Sequence, residues 1–242
     1  MNQMWKFFPK TVLKLLDLFG TLLLTVLFLN LTLTLRMKLP KDLFLSQSAR
    51  LFDALGFLSP CTILIKIFYQ QLWLLTLDWD NALPEHYAIK WHKFQREFQQ
   101  ICHISIPRWL QINEKEISLH GFSDASESTY ACVIFAVQRN DNGVTKVTIL
   151  AAKSKVDQLK PISIPRLELY GALLWKPFIA NRTSEILDLI PWNSWRYVPT
   201  KENPADIGTR GMSQRIFLTV AYDGRALLGY HHQKLTGRNN QF

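Results

Sequence analysis

The chain has 242 residues, enough for one large domain or two small ones, and 48% of them are apolar, enough for a packed core. Ten glycines and eleven prolines are too few for long disordered stretches. The net charge of +9 points to a polyanionic partner, although the basic residues are spread along the chain as they would be on a solvated surface. Cys61, Cys102 and Cys132 lie far apart, which excludes a zinc knuckle. Their odd number fits a reducing compartment, so an intracellular setting in cytoplasm or nucleus is expected. His86, His92, His103 and His120 have no metal-binding spacing, and structural or surface roles are expected for them.

Residues Leu18 to Leu35 are uncharged and mostly apolar, just long enough to flag a membrane-spanning helix. Lysines precede the run and Arg36, Lys38 and Lys41 follow it, so orientation is not set. The stretch Asn30 to Leu35 alternates like a strand. Next, Ser48 to Leu55 reads as a short helix stopped by Gly56 and Pro60. Cys61 to Leu77 reads as a long helix with Ile63, Ile67, Leu74 and Leu77 on one face. Pro84 opens another helix to about Cys102, whose face of Tyr87, Trp91, Phe94 and Phe98 is expected in the core.

Ile117 to Asp124, Tyr130 to Gln138 and Val144 to Lys153 read as three strands, with a turn signal at Asn140 to Gly143. Pro165 starts a helix through about Leu174, and Trp175 to Pro177 breaks it. Thr183 or Ser184 caps a further helix through Leu189, and Trp195 to Val198 is a short strand. Asn203 and Pro204 then open a helix as its cap and first residue. From Met212 onward no firm pattern appears.

Three acids fall at telling places in this order. Asp124 closes a strand, Glu168 lies in the first turn of a helix, and Asp206 lies in the first turn of a later one. Phosphodiester cleavage by two metal ions needs carboxylates converging from such distant segments, and Mg²⁺ suits an all-oxygen cage. Each acid also has a structural reading. Asp124 ends a strand through an Asx turn, Glu168 favours the helix dipole, and Asp206 occupies a capping-box position.

The motifs Arg50 to Pro60, Leu77-Asp-Trp-Asp80, His120-Gly-Phe-Ser-Asp-Ala-Ser126, Ala151-Ala-Lys-Ser154 and Ile164-Pro-Arg-Leu-Glu-Leu169 follow one another in order. So do Phe178 to Arg182, Trp195 to Pro199 and Lys201-Glu-Asn-Pro-Ala-Asp206. Together they resemble the Pao-type (BEL/Pao) retrotransposon polyprotein over about Ser46 to Gly211. The covered region corresponds to the end of the reverse transcriptase, a helical connection and the ribonuclease H domain. The resemblance implies an α+β or α/β chain, with a helical connection followed by an incomplete ribonuclease H-like mixed sheet with helices. It implies a division into a divergent segment 1–45, a connection 46–113, a truncated ribonuclease H-like domain 114–211 and a divergent tail 212–242. Asp124, Glu168 and Asp206 would be catalytic metal ligands for Mg²⁺, with an RNA–DNA hybrid as the ancestral substrate. Lys153 and Arg166, near the acids in sequence, would touch phosphate.

Three departures bear on activity. Family members carry a stretch between the helix of Glu168 and Trp175 that holds a strand and a further acid; here Leu174 runs directly into Trp175. Loss of a strand beside the first one is expected to leave unpaired backbone and apolar surface, and the domain is expected to be inactive as a nuclease. Gly20 to Val26 matches an out-of-frame reading of a family segment, so the apolar run is taken as a frame-shifted relic. The tail from Met212 also departs. Neither Asp-Thr-Gly nor Asp-Ser-Gly occurs, and no Asp-Asp pair occurs, so peptidase and polymerase activities are excluded. Two alternatives stand: a small protein anchored in a membrane through 18–35, and a domesticated module that binds protein or nucleic acid.

Overall fold

The computed structural model describes residues 3–7, 40–49, 51, 53, 55–101, 117–139, 145–159, 162–174 and 196–217. The apolar run 18–35, the Asn140 to Gly143 turn, the helix expected after Thr183, Cys102, His103 and the tail beyond 217 lie outside these residues. Among the described residues no helix is long and apolar enough to cross a membrane.

Three helices come first: α1 (Lys41–Ala49), α2 (Ser59–Leu74) and α3 (Glu85–Ile101). The sequence places the first of them at Ser48 to Leu55, and the structure corrects this. Asp42 accepts the Leu43 N–H at 2.6 Å in the first turn, and Ser48 bonds back to the Phe44 carbonyl at 2.6 Å near the last. Beyond it the Asp53 carboxylate accepts the Leu58 N–H at 2.8 Å, closing a turn where a helix was expected. Gly56 completes that turn at φ +75°. Helix α2 has Pro60 in its first turn and stops before Thr76, whose φ is +48°. Its expected single stripe is also corrected: Ile63, Ile65 and Leu72 are buried, while Leu74 is 65% exposed. The reason is that α2 is packed on two sides, by α1 and α3 on one and by the sheet on the other.

The aromatic face of α3 is core, as read from its spacing. Trp91 and Phe98 are buried, and Phe44 meets Trp91 edge-on at 4.7 Å. The indole N–H of Trp91 and the Gln95 side-chain amide both donate to the Gln47 side-chain oxygen, at 3.2 and 3.0 Å, so this buried polar group is satisfied.

The sheet contains β1 (Gln3–Phe7), β2 (Ile117–Ala125), β3 (Thr129–Arg139), β4 (Thr145–Val156) and β5 (Arg196–Tyr197), in the order β4-β3-β2-β1-β5. The α+β class expected from the sequence is the observed one. The four described pairings are all antiparallel, so the mixed character expected of the sheet does not extend to them. Strands β2 to β4 lie within three residues of their predicted bounds. The surprise is β1. The edge of β2 was expected to lie open, yet Gln3 to Phe7 runs along it, pairing with Ser123 to Leu119. A five-residue segment from the N-terminus thus occupies the place beside the first strand, and β5 pairs with its outer side.

The opposite edge is covered too. Helix α2 lies along β4, with the Lys66 ammonium donating to the Ser154 carbonyl at 2.6 Å and the Gln70 amide to that of Asp157 at 3.1 Å. The Ala152 N–H bonds the Leu55 carbonyl at 2.7 Å. Such cover satisfies an edge that would otherwise invite other chains. Residues just past Met212, patternless in sequence, join the core. The Met212 N–H bonds the Pro60 carbonyl at 2.8 Å, and Phe217 packs with Leu58, Cys61, Phe98 and Ile101. Cys61 and Cys132 are free and buried, and burial pushes both thiols up to about 12, so neither is a nucleophile at neutral pH.

Candidate active site

Helix α4 (Ile164–Leu173) and the short α5 (Asp206–Arg210) both converge on the end of β2. Asp124 is next to last in β2, facing Ala131 of β3. Two glycines set how closely the helices approach. A methyl group on Gly171 of α4 would lie 3.1 Å from the carbonyl oxygens of both Asp124 and Ala131. One on Gly208 of α5 would lie 2.9 Å from the Ala131 Cβ. Glu168 stands one turn before Gly171, so the close approach of α4 carries it to the same end of the sheet.

The Asp124 carboxylate is buried, at 3% exposure. The Thr209 hydroxyl donates to its Oδ2 at 2.5 Å, and the Asn203 amide, which donates to the Ser123 carbonyl at 2.8 Å, stands 3.5 Å from its Oδ1. Asp206 is paired with Arg210 at 2.7 Å, one turn on. The capping box expected of Asp206 is therefore not what its carboxylate forms. Nor is Asn203 the residue just before the helix: its side chain accepts the Ala205 N–H at 3.0 Å, and α5 begins only at Asp206.

Burial raises the Asp124 carboxyl above its ordinary range. The Thr209 bond opposes that, the Asp206 charge adds to it, Arg210 opposes it and Glu168 adds to it. The three acids are thus close enough to feel one another. Among the described residues, however, no three His, Cys, Asp or Glu side chains are placed to hold a metal ion together. The donor set as it stands does not fit a two-metal cage. Arg166, on the first turn of α4, is exposed; Lys153 of β4 is partly buried and borders two cavities, one reaching Asn203 and Asp206 and the other walled by α1 and α2. Asn203, Thr209 and Arg210 are the site residues that sequence reasoning did not single out as such. The signal was there for two of them, because Thr209 and Arg210 follow Asp206 at helical i+3 and i+4 spacing.

A test of this environment is thermodynamic. Between the ordinary Asp range and the raised native value, the folded chain keeps a proton that the unfolded chain has lost, so stability falls as pH rises across that window. Above it, the charged form is held at a constant penalty. Asp124→Asn is therefore expected to raise the melting temperature at pH 7 and to flatten its fall as pH rises above the ordinary Asp range. A variant less stable than the parent at pH 7 would count against the buried-charge account.

A family model described as the Pao retrotransposon-like RNaseH-like domain matches residues 40–191, well over half of the chain. The chain belongs to this Pao family. No curated protein matches it, and no solved structure does. The Pao match takes in Asp124 and Glu168 and ends before Asp206, so the proximity of Asp206 to the other two acids comes from the fold alone. It also takes in α1 to α3, which makes the helical segment part of the matched Pao region. Ribonuclease H-like domains use divalent metals and act on nucleic acid, which makes nucleic acid the general class of partner for this Pao chain.

Proposed function

We propose that this fragment of a Pao-type retrotransposon polyprotein binds nucleic acid without cleaving it, and that its ancestor cut the RNA strand of RNA–DNA hybrids with two Mg²⁺ ions. Asp124, Glu168 and Asp206 are the remaining ligands of that ancestral site. The observation that carries the loss of activity is the state of the carboxylates. Asp124 is buried and bonded by Thr209 beside Asn203, and Asp206 is neutralised by Arg210. A guanidinium beside the acids offsets charge that a cation would otherwise offset. The fourth acid expected of the family falls in the stretch that the chain lacks between Leu174 and Trp175.

The experiment is hybrid cleavage with purified full-length chain in Mg²⁺. No cleavage above background is expected, while the hybrid is retained with an affinity that falls steeply with salt. Cleavage by the parent that Asp124→Asn abolishes would overturn the proposal.

A further inference from the structure

A polar cavity that none of the three acids lines lies between α1, α2 and β4, and Lys153 separates it from the cavity that reaches Asp206. The polar cavity has a volume of about 270 Å³ and is lined by Lys66, Lys153, Thr62, Tyr69, Ser48 and Asp53 among others. A water takes roughly 30 Å³, so a phosphate group with part of its hydration shell fits.

Two features give the cavity its sign. Lys66 rises from α2 into a partly buried place, and among the described residues its ammonium makes one hydrogen bond, to the Ser154 carbonyl. An ammonium has three N–H donors, so two remain for other acceptors. Among the described residues no carboxylate forms an ion pair with it; Asp53 acts on it only at longer range. Lys153 and Lys155 add like charge. Burial first, and then those two lysines, hold the Lys66 ammonium below its ordinary range against the pull of Asp53. A partly buried cation without a close counter-charge is costly unless an anion completes it.

Asp53 is the one feature that opposes an anion. Its carboxylate is already used by the Leu58 N–H, and burial raises it above its ordinary range, so it carries its charge less readily than an open carboxylate. The hydroxyls of Tyr69 and Ser48 are joined to each other and anchored to the α1 backbone, giving the wall a fixed polar surface. The positive wall belongs to α2 and β4 together, so it exists only because the helical segment is docked on the sheet.

We propose that this cavity binds a phosphate group, held by Lys66 and Lys153, and that it serves as a backbone-phosphate anchor for the nucleic acid bound by the domain. The second half rests on the nucleic-acid reading above. The first half stands on the cavity alone.

The test uses the full chain, Lys153→Gln and Lys66→Gln, with two probes. One is a fluorescein-labelled RNA–DNA hybrid titrated over a range of KCl concentrations. The other is inorganic phosphate followed by ³¹P line broadening at constant ionic strength. Each substitution is expected to lower the slope of log affinity against log salt by about one, the value for one phosphate contact. Each is also expected to remove the ³¹P broadening. Lys66 is partly buried and bonded, so its variant is checked for folding by circular dichroism. Lys153→Gln keeps the test decisive if that variant unfolds. Hybrid binding by all three proteins with one slope and one affinity would overturn the anchor. Phosphate broadening that needs Lys153, without any hybrid binding by the parent, would keep the anion site and sink the nucleic-acid reading instead. No broadening in the parent would overturn the site.

Discussion

Gly56→Ala is expected to destabilise the folded chain by about 3 kcal/mol or more, the largest effect of any single methyl group considered. Two costs add. Gly56 has φ +75°, a left-handed conformation that costs a residue with a Cβ about 1–2 kcal/mol. The added Cβ would also lie 1.7 Å from the Ala152 carbonyl oxygen and 2.9 Å from the Ser59 Oγ. The first contact is with backbone, so no side chain can swing away to relieve it. The loop must move off β4, and with it go the Ala152 to Leu55 hydrogen bond and the Ser59 N–H bond to the Gly56 carbonyl. Overpacking of this kind costs about 1–3 kcal/mol. Denaturant unfolding of the variant against the parent measures it. Gly208→Ala is the comparison: its Cβ would meet only the Ala131 Cβ, at 2.9 Å. There the Ala131 methyl group has no rotamer to yield, so α5 must back off β3, but φ is not strained and a gain in helix propensity of up to about 1 kcal/mol offsets part of the cost, leaving the smaller effect of the two. A Gly56→Ala chain within 1 kcal/mol of the parent would mean that the loop does not dock as described.

The contrast between these two glycines shows what the sequence could and could not convey. Gly56 was legible as a helix stop, but not as the point where the helical segment is pinned to the sheet. The central strands were legible because Tyr130 to Gln138 is a nearly continuous apolar run, and such runs depend only on neighbours in the chain. Helix α3 was legible for the same reason, from the spacing of Tyr87, Trp91, Phe94 and Phe98. Helix α2 was legible as a helix and misread as a surface: two packing partners leave no single apolar stripe for periodicity to find. At the site, the three acids stood out by type and order. Their condition did not, because whether Asp124 is open or bonded depends on Thr209 and Asn203, which are nearly eighty residues or more away along the chain. Phe217 and β1 were illegible. Each is a short segment without a pattern of its own, placed by partners far away along the chain.

The pairing of β1 gives the second large effect. Deleting residues 1–8 is expected to open the β2 edge, raising amide exchange in the Leu119 to Ser123 stretch by about 100-fold, equivalent to roughly 2.8 kcal/mol at 1.4 kcal/mol per tenfold change. The argument is one of backbone satisfaction. Gln3 to Phe7 pairs with all five of these β2 residues, and Gln3 and Met4 also pair with Tyr197 and Arg196 of β5. Without β1, the outward N–H and C=O groups of β2 lose their partners, and β5 loses its only described strand neighbour. Each lost bond costs about 1 kcal/mol net, offset in part by the chain entropy that the freed segment recovers. An opened β2 edge also invites pairing between chains, so the truncated protein is expected to elute earlier than the parent on size exclusion, in proportion to its concentration. Met4→Pro tests the same contact more gently. Met4 is paired on both sides, so proline removes a ladder bond whichever way its N–H points. If hydrogen exchange in Leu119 to Ser123 is the same in the truncated and parent chains, β1 does not protect that edge, and the sheet is the incomplete one that the missing stretch before Trp175 first suggested.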